Sequence, residues 1–385
     1  QRALLVDPTA ADWAVGFNPL EIPQGDDVYP HVLELITVFE KLWSDSWGAR
    51  MEDVLRNSFI TLAEAGRTLL DVPRLLTDDA FRAEMVEGIR SVEARDYWIH
   101  RFGALQARTR AEWVESSLNK ISTFITDPWI RDMVGQRQST IDLRRWMDEG
   151  AITLVNLSKG RLKRNSDLVG ALMVSKIQEA ALSRVDLCED LRRPYRLVVD
   201  EFQNYATRSF EEILSEARKY GLCLMMANQT LAQLDKTLLA SVLSNCQVQV
   251  SFRNSRDDAE KLARQAFRAT GKQIKFQLPS KKLLSPQPTS TPVFIPVSEE
   301  MEGYINFLLD LAPRQALLNV RGEGSPVPFR TADAADRPRT ERADRLRSQM
   351  LERAARPRDE VRAELAARGV DDQTHEPEPN YWIEP

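Results

Sequence analysis

The 385-residue sequence predicts an α/β fold in which a mostly parallel sheet, flanked by helices, carries an all-helical insertion. Three observations predict it. Short aliphatic runs alternate with helical periodicities after residue 150, the order that gives parallel βαβ units with right-handed crossovers. The run Arg196-Leu-Val-Val-Asp-Glu-Phe202 reads as a buried strand that delivers two adjacent carboxylates at its end. Between residues 27 and 140 there is no strand signal, and apolar residues recur at helical spacing.

In the insertion, Leu33, Ile36, Val38, Phe39, Leu42 and Trp43 make one apolar stripe, and Met51, Val54, Leu55, Ser58 and Phe59 continue it on a second helix. Trp43, Trp47, Trp98 and Trp113 offer rings for base stacking, but helical spacing favours core packing. The core resumes at Ala151-Ile-Thr-Leu-Val-Asn-Leu157 and spans 141–332. Its elements are a helix over about 167–184, strands at 195–200, 222–227 and 247–252, a helix at 256–267 and a last strand at 315–321. Residues 271–297, rich in Pro, Ser and Lys, read as a loop excursion. Residues 333–385 form a charged tail with one amphipathic helix near 339–368 (Leu346, Met350, Leu351) and an acidic end, His375-Glu-Pro-Glu-Pro379. Such a tail reads as a solvated arm or a partner-docking segment.

Residues just past the carboxyl end of a parallel strand emerge where ligands of open α/β sheets bind. Asp200 is therefore placed to hold a magnesium shell and Glu201 to polarise an attacking water. A strand ending in Asp-Glu also arises by chance, so the neighbouring elements matter. Ser209-Phe-Glu-Glu-Ile-Leu-Ser-Glu-Ala-Arg-Lys-Tyr-Gly221 has apolar or small residues at helical spacing (Phe210, Ile213, Leu214, Ala217) and closes on a glycine stop. The strand Leu222-Cys-Leu-Met-Met-Ala227 follows and ends at Asn228-Gln229.

The words Val199-Asp-Glu-Phe-Gln203, Glu216-Ala-Arg-Lys-Tyr-Gly-Leu222 and Ala227-Asn-Gln-Thr230 resemble the HerA/FtsK superfamily of hexameric DNA-pumping ATPases, most closely the conjugative coupling proteins of the TraD/TraG type. The resemblance implies a RecA-like core, ATP and Mg2+ as cofactors, and composite active sites between subunits of a homo-oligomer, a hexamer. It implies that Arg218 is an arginine finger reaching a neighbour's nucleotide and that Gln229 senses the γ-phosphate. A guanidinium supplied in trans contributes about 10³–10⁵ in rate. Read without the family, Arg218-Lys219 is also what a helix C-terminus favours for its dipole, and Gln229 is also a turn cap.

No Gly-x-x-x-x-Gly-Lys-Ser/Thr loop occurs; Ala269-Thr-Gly-Lys-Gln273 lacks the spacing, the hydroxyl and the preceding strand. Arg2-Ala-Leu-Leu-Val-Asp-Pro8 and Gly16-Phe-Asn-Pro-Leu20 resemble the family's strand after that loop and its helix. The expectation is that residues 1–26 start inside the ATPase core, with the phosphate-binding Lys and the magnesium-binding Ser or Thr upstream.

A net charge of −5 with 28% charged residues argues against a passive DNA-coating protein, so a DNA surface must come from local patches. Ser158-Lys-Gly-Arg-Leu-Lys-Arg-Asn165 is such a patch, with Lys159, Arg161, Lys163 and Arg164. Two readings compete: a pore loop gripping DNA phosphates without reading sequence, or an interface segment near a neighbour's ATP. Lys272, Lys275, Lys281 and Lys282 form a weaker second patch. The 3 cysteines are widely spaced, two of them at buried-strand positions, and the 3 histidines share no ligand spacing with them. That pattern suggests reduced thiols in a cytoplasmic protein and no zinc site. No apolar run reaches the ~20 residues of a membrane span, although coupling proteins usually carry membrane helices near their N-terminus.

The leading expectation is an ATP-driven DNA translocase. An alternative keeps the fold and exports protein as a type IV secretion ATPase, with secretion components as partners. Another is a non-hydrolysing scaffold ring partnering a nuclease in a defence complex.

Overall fold

The computed structural model describes residues 3–23, 25–207, 210, 213–214, 216–280, 289–333 and 340–369. They fall into two compact units, Gln1–Met226 with Arg339–Pro385, and Ala227–Pro338.

In the first unit β1 (Ala3–Val6) pairs in parallel with β3 (Ile152–Val155), Ala3 opposite Ile152 and Val6 opposite Val155. Between them the chain makes a two-residue strand, β2 (Trp13–Ala14), and then eight helices: α1 (Val28–Leu42), α2 (Ala49–Glu64), α3 (Val72–Thr77), α4 (Asp79–Gly88), α5 (Val92–Asp96), α6 (Ala107–Ile125), α7 (Pro128–Val134) and α8 (Leu143–Glu149). A π-helical turn, Tyr97–Phe102, follows α5.

The Asp27 carboxylate caps α1 by accepting from the Tyr29 N–H at 3.1 Å. Helix α1 buries Val28, Val32, Leu35, Ile36, Val38 and Phe39. Leu33, expected in the stripe, is exposed, because 100° per residue turns it away from the face shared by Val28, Val32, Leu35 and Phe39. On α2, Met51, Val54, Leu55, Ser58 and Phe59 are buried as their spacing predicts, and the Phe59 ring meets Phe39 at 5.4 Å. Trp98 is a core residue whose Nε1 donates to Thr61 Oγ1 at 2.8 Å.

After β3 come α9 (Lys159–Leu162) and α10 (Asn165–Leu182), then β4 (Tyr195–Val199) in parallel register with β5 (Leu222–Met226), Tyr195 opposite Leu222 and Val199 opposite Met226. These short strands are not buried on both faces. Ile152, Leu154, Val198 and Met225 are exposed, and so is Cys223, which was expected as a buried thiol. Strand alternation sends Cys223 and Met225 to the same uncovered face as Val198 and Arg196.

The second unit contains α11 (Lys236–Asn245), β6 (Val248–Ser251), α12 (Arg256–Ala266), β7 (Ile274–Ser280), β8 (Thr289–Phe294), α13 (Val297–Leu309), β9 (Gln315–Val320) and β10 (Val327–Arg330). Its core is Ala259, Ala263, Ile305, Leu308, Leu311 and Leu317. Here β9 lies between β6 and β10 and pairs antiparallel with both, whereas alternating elements led us to expect parallel units throughout. The chain leaves β6 along α12, turns through a hairpin and returns along α13. It therefore re-enters the sheet beside the end it left, with Ser251 opposite Leu317. That hairpin is the antiparallel pair β7–β8, in place of the loop expected over 271–297. Proline at 279 and 292 is compatible with a two-stranded ribbon, whose outer edges need no N–H donors. Lys281 and Lys282 lie outside the described residues.

The tail returns to the first unit. Helix α14 (Glu341–Ala354) packs Leu351 against Leu5 and Ala10, β11 (Arg356–Pro357) pairs antiparallel with β2, and α15 (Arg358–Ala367) buries Val361 and Leu365. The single helix expected near 339–368 is thus two, because Ala355 is extended (φ −146°, ψ 168°) and Pro357 cannot continue a helix. Leu346 is exposed. Residues 340–369 are a docked part of the unit and not a solvated arm; the acidic end from 370 lies outside the described residues.

Candidate functional site

Strand β4 ends on Val199, which is buried, and the next two residues emerge from the sheet. Asp200 is exposed. Glu201 takes a left-handed backbone, φ 51° and ψ 44°, which costs a non-glycine residue about 1–2 kcal/mol and persists only where neighbours enforce it. They do so here. The Asn204 side chain donates to the Glu201 carbonyl at 2.9 Å, and Gln203 Nε2 donates to Glu201 Oε2 at 2.6 Å. The turn Phe202–Asn204 is anchored by Phe202, fully buried with its ring 5.9 Å from Phe210. The reversal turns Glu201 away from the strand path while Asp200 stays at the strand mouth.

Tyr205 closes this corner. Its ring lies against Gly170 of α10, where a Cβ would fall 2.2 Å from the tyrosine ring. Burial raises the Tyr205 hydroxyl pKa, and the carboxylates of Asp167, Asp200 and Glu201 raise it further. Three acidic groups therefore share one corner at the carboxyl end of β4.

Arg218 sits in a 3₁₀ turn, Ala217–Tyr220, that closes on Gly221 in the left-handed region (φ 78°). The expected helix over 209–221 is tightened in its last turn; Ser209, Glu211, Glu212 and Ser215 lie outside the described residues. Phe210, Ile213 and Ala217 are buried, as the spacing predicts. The Arg218 guanidinium is exposed and has no ion-pair partner among the described residues. Its neighbour Lys219 is paired with Glu216 at 2.8 Å.

Gln229 belongs to the second unit and is exposed. Its turn is fixed by Asp258, a buried carboxylate in the first turn of α12 that accepts from Thr230 Oγ1 at 2.8 Å and from the Leu231 N–H at 3.1 Å. The sequence reading missed Asp258, since an acidic residue in a first turn is ordinarily a helix-dipole partner.

The basic loop forms α9, with Ser158 at its N-cap position, and the residues just after it; all four of its cations are exposed. Two of them are engaged: Arg161 Nη1 donates to the Thr9 carbonyl at 2.9 Å, and Lys159 lies 3.8 Å from Asp167. Lys163, at φ 51°, and Arg164 have no ion-pair partners among the described residues. The structure thus joins the basic loop to the acidic corner through Lys159–Asp167.

A second missed residue is Asp7. It is fully buried at the carboxyl end of β1, accepts from Thr9 N–H (3.0 Å), Thr9 Oγ1 (2.8 Å) and Asn156 Nδ2 (3.0 Å), and pairs with Arg347 of α14. An aliphatic run ending in Asp-Pro was the available signal. Among the described residues no group of three or more His, Cys, Asp or Glu is arranged to hold a metal ion. No helix there is long and apolar enough to cross a membrane.

Parallel strand pairs with carboxylates at one strand end, interrupted by a helical insertion, are the elements of a RecA-like fold. The bacterial conjugative coupling protein TrwBdeltaN70, unbound, matches with TM-score 0.55 at 15% identity, over 86% of this chain and 74% of that one. TrwB in complex with ADP and Mg2+, and with the non-hydrolysable GTP analogue GDPNP, each match with TM-score 0.50 at 13% identity over the same shares. The family model described as the TraM recognition site of TraD and TraG matches residues 194–274, the segment that runs from β4 through Arg218 and Gln229 to the start of β7. No curated protein sequence matches significantly. The chain has the RecA-like fold seen in those coupling-protein structures.

Proposed function

We propose that this chain is part of an ATP-driven DNA-translocating motor that hydrolyses ATP between the subunits of a ring, a hexamer. The observation that carries the reading is the corner at the end of β4, where Asp200 is exposed and Glu201 is reversed into a left-handed turn and gripped by Gln203. The nucleotide and Mg2+ in complexes of TrwB support the same cofactors here.

The residues fit that metal in one specific way. Mg2+ bound with a nucleotide needs only one or two carboxylates, the rest of its shell being phosphate and water, and a single exposed carboxylate at a strand end suits it where an all-protein cage is lacking. Asp200 would hold it, through water, and the ion would neutralise charge on the phosphates. Glu201 orients the attacking water and takes its proton; the Gln203 amide fixes the carboxylate that does so. Gln229 contacts the γ-phosphate, and Arg218, exposed and without an ion-pair partner among the described residues, crosses to the neighbouring subunit's phosphates. Lys159, Arg161, Lys163 and Arg164 hold DNA phosphates without reading bases.

The match to a TraM recognition site supports a protein partner for the segment 194–274 as well, in the setting of a type IV secretion system. In the full-length protein, Glu201→Gln should keep ATP binding and ring assembly and lose hydrolysis, because an amide has the shape but cannot accept the proton. Near-normal turnover in that variant would make Glu201 an ordinary strand-end residue.

A further inference from the structure

Arg184 is the largest fully buried side chain in the protein's described residues, and its guanidinium is spent on the turn that carries Arg218. Nη1 donates to the Tyr220 carbonyl at 3.1 Å, Nη2 donates to the Arg193 carbonyl at 2.8 Å, and Nε lies 3.0 Å from Asp148 Oδ1. A second arginine completes the grip. Arg192 donates through Nη1 to the Lys219 carbonyl, and through Nε to the carbonyls of Arg184 (3.1 Å) and Leu187 (3.0 Å).

Following the backbone past Arg218 shows what this achieves. The Arg218 carbonyl accepts from the Gly221 N–H at 3.0 Å, Lys219 from Arg192, Tyr220 from Arg184, and Gly221 from the Tyr195 N–H at 2.8 Å. Four successive carbonyls are each held, two of them by arginines, while the Arg218 side chain itself is left exposed. The turn is also closed sterically: a Cβ at Gly221 would sit 3.1 Å from Arg184 Nη1, at a φ that favours glycine. Asp148 in turn is braced by Arg144 Nε at 2.7 Å.

We propose that Arg184, assisted by Arg192, is a positioning residue that aims Arg218 at the neighbouring subunit; the inference rests on the reading of Arg218 as a finger acting in trans. A planar fork is required. Its two terminal nitrogens address two carbonyls that come from different segments, which a lysine ammonium, a single point on a flexible stem, does not reproduce. Losing the fork takes the side-chain donor away from the Tyr220 and Arg193 carbonyls and frees the turn to reorient.

The test uses the full-length protein and compares Arg218→Ala, Arg184→Gln, Arg184→Lys and Arg192→Ala. Arg184→Gln should assemble rings and bind a non-hydrolysable ATP analogue within about threefold of wild type, lower kcat at least tenfold and leave KM nearly unchanged. Amide exchange of residues 218–222 should quicken at least tenfold without comparable change in α2. In mixed rings Arg184→Gln should recover activity with Glu201→Gln subunits and none with Arg218→Ala subunits, since it belongs to the same complementation class as the finger. Should Arg184→Gln not fold, Arg184→Lys and the more peripheral Arg192→Ala carry the test, with smaller losses of kcat in the same class. Normal kcat in all the foldable Arg184 and Arg192 variants, with Arg218→Ala inactive, overturns the positioning role and leaves the finger standing. Normal kcat in Arg218→Ala overturns the finger reading itself.

Discussion

Arg358 and Asp132 form an ion pair in which both side chains are only 4% exposed, joining the first turn of α15 to α7 across 226 residues of sequence. Its Nη2 donates to the carbonyls of Pro8 (3.0 Å), Ala10 (2.9 Å) and Trp13 (2.8 Å), its Nε to that of Ala11 (3.1 Å), and the guanidinium lies over the Trp129 ring at 4.5 Å. One tail residue thus organises the loop that follows β1. Arg362 adds a second bond to Asp132 at 3.1 Å.

Removing Arg358 leaves the buried Asp132 carboxylate with only the half-exposed Arg362 and strips their donor from the carbonyls of residues 8–13. Arg358→Met should lower unfolding stability by about 3–5 kcal/mol in urea titrations, the range for severed buried ion pairs. Truncation after residue 339 should be at least as damaging, because it uncovers Leu5 and Ala10 together with Arg358's carbonyls. A truncated protein as stable as the parent would show that α14 and α15 are dispensable.

His31 makes the seam between α1 and α10 sensitive to pH. Its Nδ1 lies 2.8 Å from Glu179 Oε2 and its Nε2 lies 3.3 Å from Asp26 Oδ2, so both nitrogens donate only when the ring is protonated. The hydrogen bond to Glu179 raises the His31 pKa above its ordinary value against the opposing effect of burial. For Glu179, burial pushes upward, but His31 and Lys176 outweigh it and hold the carboxyl below its ordinary range. A raised histidine contributes stability that is complete below its unfolded value, about 6.5, and is lost as pH rises through the folded value. A depressed glutamate contributes above its unfolded value, about 4.3, and loses that contribution as pH falls. His31→Gln should therefore cost most near pH 5.5 and progressively less toward pH 8.5, read as urea midpoints at each pH; a cost that does not change with pH would refute the imidazolium bridge.

Residues 1–385 by themselves should neither bind nor hydrolyse ATP, since their sequence contains no phosphate-binding loop motif. Isothermal titration with ATP and Mg2+, and phosphate release with contaminating ATPases excluded, provide the check. Magnesium-dependent turnover would show that another element of this chain cradles the phosphates.

Mixing separates the two readings of Arg218 in the full-length protein. As a helix-end cation its loss would cost about 0.3–1 kcal/mol of stability and leave hydrolysis intact. As a finger, Arg218→Ala should remove most of the rate at nearly normal nucleotide affinity, and rings mixed with Glu201→Gln subunits should regain part of it. Rings proven to be mixed that never exceed their parents would count against action in trans.

A salt series tests the basic loop. Lys163→Ala with Arg164→Ala should weaken DNA binding uniformly across sequences and lower the slope of log K against log salt by about 1–2, one increment for each phosphate that the loop no longer neutralises. An unchanged slope would favour the interface reading of the loop.

What the sequence by itself determined is local. Aliphatic runs of four or five residues, the carboxylates placed after β4, the helical spacing of α2 and the glycine stop at 221 are consequences of backbone geometry within a few residues. Each held in the structure. The RecA-like class followed because those local signals recur in a recognisable order. Tertiary structure alone decided the rest, since it depends on partners distant in the chain. Prolines at 279 and 292 read as loop until two segments paired into a hairpin. The charge-rich tail read as solvated, because nothing near Arg358 in sequence announces that Asp132 and four carbonyls from residues 8–13 await its guanidinium. Arg184 read as the end of a helix, and its burial became visible only when the turn after Arg218 came to rest against it. A charged side chain is assigned to solvent by its chemistry and to the interior only by a complete set of partners, and that set exists only in the folded chain.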